Sequence, residues 1–455
     1  MAKILISYYS ENTESTYEAI SQTLFNEGND LLRVNIRGWI NCKSWAGKSV
    51  LRDSKLLNMV SDFSPDIILN FSHSLPIEVC ENLLPHTKNC LIDGDNPNYF
   101  WNLDYLKKNL NKYYFLGMQT ASREMFKQVL GEINDEKYLY FPAATSFEHL
   151  ENKKNKNISF IGSSFFQIEM PRSSNLLTDD FYQIYDQVKK NYMVRPEDLN
   201  DSLRKSIDDI NASMNLVKFH ITWQDRVQHL SLLTDLGLHI YGLDEWKYIR
   251  FYNAELGRAF NPVAVRSLQE NQEIYNTSKI CINISHPQAK TAFSWRVMDI
   301  MASSACVLTE YKTDWVQLFS SYISEEVVEA IVYRDRYEMR EKAKRLLNDE
   351  KFRQRCVLEC NAAIEKNGRW KHRFIELENF LKIKLISNVG QSEYNFFPAV
   401  EKKKISLVSL FFQRRKKEID IFLFCLLLVF SLLPVFGTFI DRKKIIKRMN
   451  KRIPH

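Results

Sequence analysis

Short apolar runs recur through the first third of the chain, each closed by polar loop residues. Residues 3–9 (KILISYY) form the first, followed by a turn at 10–12 and helical spacing over 13–25. Residues 66–71 (DIILNF) form the second and end in Ser72-His73-Ser74. Residues 89–92 form the third and end in Asp93-Gly94-Asp95-Asn96-Pro97; residues 113–116 and 138–141 give two more. Apolar runs this short, alternating with helical segments, predict βα units on a parallel sheet.

The pattern then repeats. A charged stretch at 151–157 (ENKKNKN) reads as an interdomain linker, and a fresh strand at 158–161 ends in Gly162-Ser163-Ser164. Next comes a helical insertion. Phe181, Ile184, Tyr185 and Val188 mark one helix; Leu199, Leu203, Ile207, Ile210, Met214 and Val217 mark another, in steps of three and four. The α/β alternation returns with a helix at 226–236, a strand at 238–241 before Gly242, and a strand at 280–284. A helix at 296–303, strands at 306–309 and 330–333, and amphipathic helices at 338–347 and 351–366 complete it. The expected fold class is therefore α/β, in two Rossmann-like parallel-sheet domains: residues 1–152, and residues 153–385 with the insertion at about 165–222. Residues 386–455 are expected to be a linker and tail.

Composition places the body among ordinary globular chains, with 45% hydrophobic and 26% charged residues. The 62 Lys and Arg against 55 Asp and Glu leave a net charge of +7, and that excess is concentrated beyond residue 401. A nearly neutral body with a basic tail points to an anionic membrane surface rather than to nucleic acid. Residues 421–440 are mainly apolar, and about 20 such residues suffice to cross a bilayer as a helix. Basic clusters flank this segment on both sides: Arg414-Arg415-Lys416-Lys417 before it, and Arg442, Lys443, Lys444 and Lys447 after it. The positive-inside rule asks both flanks to be cytoplasmic, and Pro434 and Gly437 interrupt the run. The expectation is a segment that dips into the inner leaflet or lies along it; a single span with an exported tail is the alternative. The eight cysteines are scattered, without CxxC pairs or zinc-site spacing, as in a reducing compartment. The N-terminus reads as a buried strand rather than a signal peptide.

In parallel α/β sheets ligands bind beyond the carboxyl ends of strands. The loop at Gly162-Ser163 offers a glycine and a hydroxyl to a phosphate. Gly242 follows another strand, with Trp246 near enough in sequence to stack on a base. After the strand at 280–284 come Lys290, Ser294, Arg296 and Asp299 at the start of a helix. An acid there can accept both hydroxyls of a ribose, and Lys290, Arg296 and the helix N-terminus can hold a diphosphate. In the first domain, His73 and Asp95 follow strands and are candidates for the base that takes a proton from an acceptor hydroxyl. Lys3 to Ser10 with Glu14 is similar to a flavodoxin's first strand and phosphate loop, but Glu11 and Glu14 would repel a phosphate and the loop glycine is missing.

Taken in order, several segments resemble the CgeB-type glycosyltransferase-like family within the GT-B superfamily. They are FIGS (160–163), Arg226, LHIYG (238–242) with Trp246, YNTSKICINIS (275–285), and the trio Ser294, Arg296 and Asp299. MASSACVLTEY (301–311), VYRDRYEM (332–339) and a closing helix with Trp370 and Arg373 continue the series. DGDNP (93–97) and YFPAAT (140–145) add weaker matches. The resemblance implies a GT-B fold whose two domains face a cleft. The donor nucleotide sugar would sit on the second domain, at Gly162, Ser163, Gly242, Lys290, Ser294, Arg296 and Asp299. The acceptor would sit on the first, near His73 and Asp95. It implies sugar transfer to a cell-surface glycan, lipid-linked or protein acceptor at the cytoplasmic face of the membrane. No metal and no cofactor beyond the nucleotide-sugar co-substrate are expected, and no nucleic-acid partner. Asp299 replaces the family's usual Glu, and Thr291 stands where many retaining relatives carry another Glu, which leaves the anomeric outcome open. A catalytically silent, membrane-attached binding or assembly protein on the same fold is the competing reading.

Overall fold

The computed structural model describes residues 2–10, 14–41, 49–83, 87–166, 179–192, 194–195, 198–206, 210–263, 265, 267–386 and 393–399. The apolar tail segment 421–440 and its basic flanks lie outside the described residues, as do Glu11, Cys42, Ile207 and Cys425.

Six strands of the first half form one sheet: β1 (Lys3–Tyr8), β2 (Asp30–Asn35), β3 (Ile67–Phe71), β4 (Lys88–Ile92), β5 (Tyr113–Gly117) and β6 (Tyr138–Tyr140). The second half contributes β7 (Lys156–Ile161), β8 (Leu238–Tyr241), β9 (Ser278–Asn283), β10 (Cys306–Glu310) and β11 (Val332–Tyr333), in the order β8–β7–β9–β10–β11. Every pairing in both sheets is parallel. This is a two-sheet parallel α/β architecture, and helices cover the sheets because their central strands are apolar on both faces.

Two strands are absent from the expected set, β2 and the edge strand Tyr394–Phe397 that pairs with it. Arg33 interrupts the apolar run of β2, yet the residue is only 5% exposed. Its guanidinium lies 3.9 Å from the centre of the Phe396 ring and 3.6 Å from a Glu14 carboxylate oxygen. Phe396 belongs to β12 (Tyr394–Phe397), which pairs with β2 and gives the first sheet the order β12–β2–β1–β3–β4–β5–β6.

That edge strand corrects the expected boundary at residue 385. The helix Trp370–Leu381 turns back to the first sheet, where Trp370, Phe374, Leu377 and Leu381 join the core of Ile4, Ile6 and Ile92. Residues 370–397 therefore finish the first domain. Burial of one apolar helix face against β1 drives the return, at roughly 1.5–3 kcal/mol for each fully buried large side chain.

The charged linker is not a loose tether. Lys154 Nζ donates to the carbonyls of Asn276 (2.9 Å) and Ser304 (2.7 Å). The insertion holds helices Asp179–Lys190, Asp201–Ser206 and Ile210–Ser231 around a small core of its own, which includes Ile184, Val188, Leu203, Met214 and Val217. The last of these runs 22 residues and carries Arg226, so the expected separate helix at 226–236 is its continuation, closed by a tight turn at Thr234–Leu236. Among the described residues no helix is long and apolar enough to cross a membrane.

Candidate functional site

The carboxyl ends of both sheets open onto one cleft, with a cavity of about 480 Å³. Tyr17, Asp93, Asp95 and Gln119 line it from the first domain; Gly162, Ser163, Ser294, Arg296 and Asp299 line it from the second. Six of the nine residues singled out from the sequence thus share one cavity. His73, Gly242 and Lys290 do not line it.

On the second-domain side, Asn283 at the end of β9 organises the loop. Its Oδ1 accepts from Ser294 Oγ at 2.6 Å and from Arg296 Nη1 at 3.1 Å. Its amide nitrogen donates to Thr309 Oγ1 at 3.0 Å, which fixes the orientation of the amide. Arg296 is thereby aimed across the start of the helix Trp295–Ala302, with its guanidinium 5.4 Å from the Phe160 ring centre. Asp299, further along that helix, accepts from Thr145 Oγ1 at 2.7 Å. Burial pushes the Asp299 carboxyl up to about 7, against the opposing effects of Thr145 and Arg296.

Gly162 must be small: a Cβ there would sit 2.9 Å from the Phe160 ring and 3.1 Å from Arg296 Nη2. Gly242 supports it from behind. A Cβ on Gly242 would collide with the Gly162 carbonyl oxygen, and Trp246 Nε1 donates to that same oxygen at 2.6 Å. Trp246 is fully buried, so the expected base-stacking role is corrected to that of a loop anchor. Gly242 is likewise a packing glycine rather than a ligand contact.

Lys290 is exposed and stands outside the cavity, which corrects its assignment to the diphosphate. A second cation beside the loop is Arg226, which is 4% exposed and lies behind the cavity lining, against the Ser163 backbone. Its Nη1 donates to the Ser163 carbonyl, and its guanidinium lies 4.7 Å from the Phe165 ring centre. Its Nε is buried without a hydrogen-bond partner among the described residues. Burial and then the neighbouring Arg296 both disfavour its charge. An arginine does not give up its proton, so an anion bound at this loop would relieve both costs. In the sequence Arg226 belongs to the family resemblance and starts an expected helix, and neither feature marks it as part of a site.

On the first-domain side His73 is corrected. Ser72 and His73 both adopt positive φ (51° and 53°), and this turn swings the imidazole into the core. There Nδ1 pairs with the Trp101 carbonyl at 2.7 Å and Nε2 with the Tyr113 hydroxyl at 2.8 Å. Both nitrogens are occupied, and burial lowers the pKa to about 4. His73 is a turn anchor that cannot reach an acceptor. Asp95 does face the cleft. Gln288 Nε2 from the second domain approaches its Oδ1 at 3.5 Å, and burial raises its pKa, opposed by hydrogen bonds from Gln288 and Ser72. Asp93 is a scaffold for the next loop: Met118 N donates to Oδ1 at 2.6 Å, and Ser122 Oγ pairs with Oδ2.

Thr291, which stands where many retaining relatives carry a Glu, ties the domains together. Its amide donates to Gln119 Oε1 at 3.1 Å, and its hydroxyl to Asp314 Oδ2 at 3.2 Å. Among the described residues no cluster of His, Cys, Asp and Glu has the arrangement of a metal site.

Residues 222–379 match the family model described as Glycosyl transferase-like. The matched segment holds Arg226, β8 to β11, and the helix of Arg296 and Asp299. No curated protein matches the chain. Among solved structures, the chain is similar to T4 phage BGT in complex with UDP and Mn2+, with 12% identity over 84% of this chain and 99% of that one, at a TM-score of 0.47. It is similar to the sucrose-phosphate synthase of Thermosynechococcus elongatus, with 9% identity over 83% and 98% of the two chains, at a TM-score of 0.49. It is also similar to TarM, with 12% identity over 73% of this chain and 59% of that one, at a TM-score of 0.41.

Proposed function

We propose that the chain is a nucleotide-sugar-dependent glycosyltransferase of CgeB type, with its donor on the second domain and its acceptor on the first. One observation carries this reading: a single cleft joins Asp95 of the first sheet to the Gly162-Ser163 loop, Arg296 and Asp299 of the second. The glycosyl transferase-like match over residues 222–379 supports it for the donor half. The diphosphate lies at the Gly162-Ser163 loop between Arg296 and Arg226, where charge-assisted hydrogen bonds and the helix N-terminus offset the charge of the leaving group. Asp299 accepts the ribose hydroxyls. Asp95, whose carboxyl pKa burial raises above the ordinary value, takes the proton of the attacking acceptor hydroxyl. With the diphosphate charge met in this way, the transfer runs without a metal. The acceptor is a cell-surface glycan, lipid-linked or protein hydroxyl, and the basic tail holds the enzyme at the cytoplasmic face of the membrane.

The test is nucleotide release by the purified chain from a panel of UDP-, GDP- and ADP-sugars, with Asp95→Asn as control. Turnover of one donor, lost in the variant while nucleotide binding persists, is expected. Failure of every nucleoside diphosphate to bind would overturn the donor reading. Fractionation of cells that express residues 1–402 alone or the full chain tests the tail. Full-length protein that stays soluble without detergent would remove the membrane from the proposal.

A further inference from the structure

The helical insertion reaches across the cleft and grips the loop that carries Asp95. The contact centres on Lys218, in the helix Ile210–Ser231, which is only 5% exposed. Its Nζ donates to the Tyr99 hydroxyl at 3.3 Å and to the Val194 carbonyl at 3.1 Å. The ammonium lies 5.6 Å from the ring centres of both Tyr99 and Tyr192. Tyr99 in turn donates to Asn215 Oδ1, one helical turn from Lys218, at 3.3 Å. A buried lysine is costly to keep charged, and burial lowers its pKa to about 8. Two ring faces and two acceptors are what this site sets against that cost.

Tyr99 ends the short loop that starts at Asp93. Within that loop Asn98 N donates to Asn96 Oδ1 at 3.0 Å and Tyr99 N to the Asn96 carbonyl at 2.8 Å, so the turn that directly follows Asp95 is braced from Asn96 to Tyr99. Burial raises the pKa of the Tyr99 hydroxyl, and the nearby Asp95 carboxylate adds to that rise. The insertion is continuous with the second domain through the helix Ile210–Ser231, which also carries Arg226. One helix therefore touches the donor loop at Arg226 and the Asp95 loop, through Tyr99, at Lys218.

We infer that Lys218 is a positioning residue, which holds the Asp95 loop at a fixed distance from the donor through its bond to Tyr99. The inference rests on the proposed role of Asp95 as base. Lys218 itself touches no substrate; without it the loop keeps its backbone turn but loses its tie to the donor-side helix.

The experiment compares Lys218→Met, Lys218→Arg, Tyr99→Phe and the double variant Lys218→Met/Tyr99→Phe, in the full chain, with the nucleotide sugar of the panel that the parent turns over. Lys218→Met keeps the length and packing of the side chain, and Tyr99→Phe removes one hydroxyl, so each guards against a folding failure of the other. Each is expected to lower kcat on the order of tenfold, with the Kd for the nucleoside diphosphate within about twofold of the parent. Lys218→Arg should recover part of the loss, and the double variant should be no worse than the worse single one. A kcat within about twofold of the parent in either single variant overturns the inference, as does an additive double variant. Asp95→Asn separates the two layers. If it is inactive while Lys218→Met is active, only the positioning role falls; if Asp95→Asn is fully active, the base assignment beneath it falls.

Discussion

Thr120 of the first domain hydrogen-bonds twice to Asp314 of the second, through its hydroxyl at 2.6 Å and its amide at 2.9 Å. Asp314 is fully buried at the start of the helix Thr313–Phe319 and also accepts from Thr291 Oγ1 at 3.2 Å. A carboxylate that draws in three donors from two loops fixes how the domains meet beside the cavity. Asp314→Ala strips all three donors of their acceptor and should lower stability by about 1–3 kcal/mol. Thr120→Val, which removes only the hydroxyl, should cost less. Urea unfolding reads both, and a midpoint unchanged in Asp314→Ala would show that this contact does not hold the domains.

The two strand-end glycines of the second domain make a separate prediction. Gly242→Ala places a methyl against the Gly162 carbonyl and within 2.8 Å of Trp246 Nε1. Both neighbours are held in place, Trp246 by complete burial and Gly162 by the indole hydrogen bond to its carbonyl. Overpacking of this kind costs typically about 1–3 kcal/mol. The displaced loop should also weaken nucleoside diphosphate binding, although Gly242 does not line the cavity. Calorimetric titration with UDP, GDP and ADP checks it; the same affinity as the parent would mean that the loop does not hold the phosphates.

What the sequence made legible follows from which signals are local. Ten of the strands in the two sheets announce themselves, because an apolar run of β-formers closed by a polar loop is a local pattern. β2 does not, since Arg33 belongs in the core only through Glu14 and Phe396, and Phe396 lies over 360 positions away in the chain. The placements of Asp95, Arg296 and Asp299 were readable because strand ends in a parallel sheet converge whatever their side chains. Lys290 and His73 depart from expectation for one physical reason. A loop position gives the direction of the backbone and not of the side chain: Lys290 turns to solvent, and a positive-φ turn folds His73 inward. Arg226 and Lys218 look like polar residues on an amphipathic helix, and only the tertiary fold buries them.

Asp93 gives a pH dependence of stability. Burial raises its carboxyl from the ordinary 3.8 to about 7, despite the hydrogen bonds from Ser122 and Met118. The native state then holds this proton over a range where the unfolded chain has released it. The favourable contribution is complete below about pH 4 and is lost as pH rises through about 7. Asp93→Asn keeps the shape and cannot ionise, so it escapes the loss. Relative to the parent, the variant should be more stable at pH 8 than it is at pH 4. Unfolding midpoints at the two pH values provide the check, and a difference between parent and variant that does not change with pH would place the Asp93 pKa near its ordinary value.

Two arginines converge on the proposed donor loop. Arg226 and Arg296 lie close enough for Arg296 to disfavour the charge on Arg226, and no salt bridge to a carboxylate joins either of them among the described residues. Two converging cations cost free energy in the empty protein, and a bound diphosphate reverses the sign of that cost. Arg226→Met should therefore do two opposite things. It removes a buried charge and an unpartnered Nε, so the ligand-free protein should lose little stability or gain some. It also removes a charge-assisted contact, so a nucleoside diphosphate should bind more weakly by about 1.5–3 kcal/mol. Ligand at a hundred times its Kd stabilises a protein by about 2.7 kcal/mol, so the parent should melt at a higher temperature once the nucleotide that it binds is added. The variant at the same nucleotide concentration should show a much smaller rise. Arg296→Lys should fall between them, because a point charge cannot reproduce the planar fork held by Asn283. Thermal unfolding with and without UDP, GDP and ADP measures all three proteins. An equal rise in Arg226→Met and the parent would move the diphosphate away from this loop, and with it the donor half of the cleft.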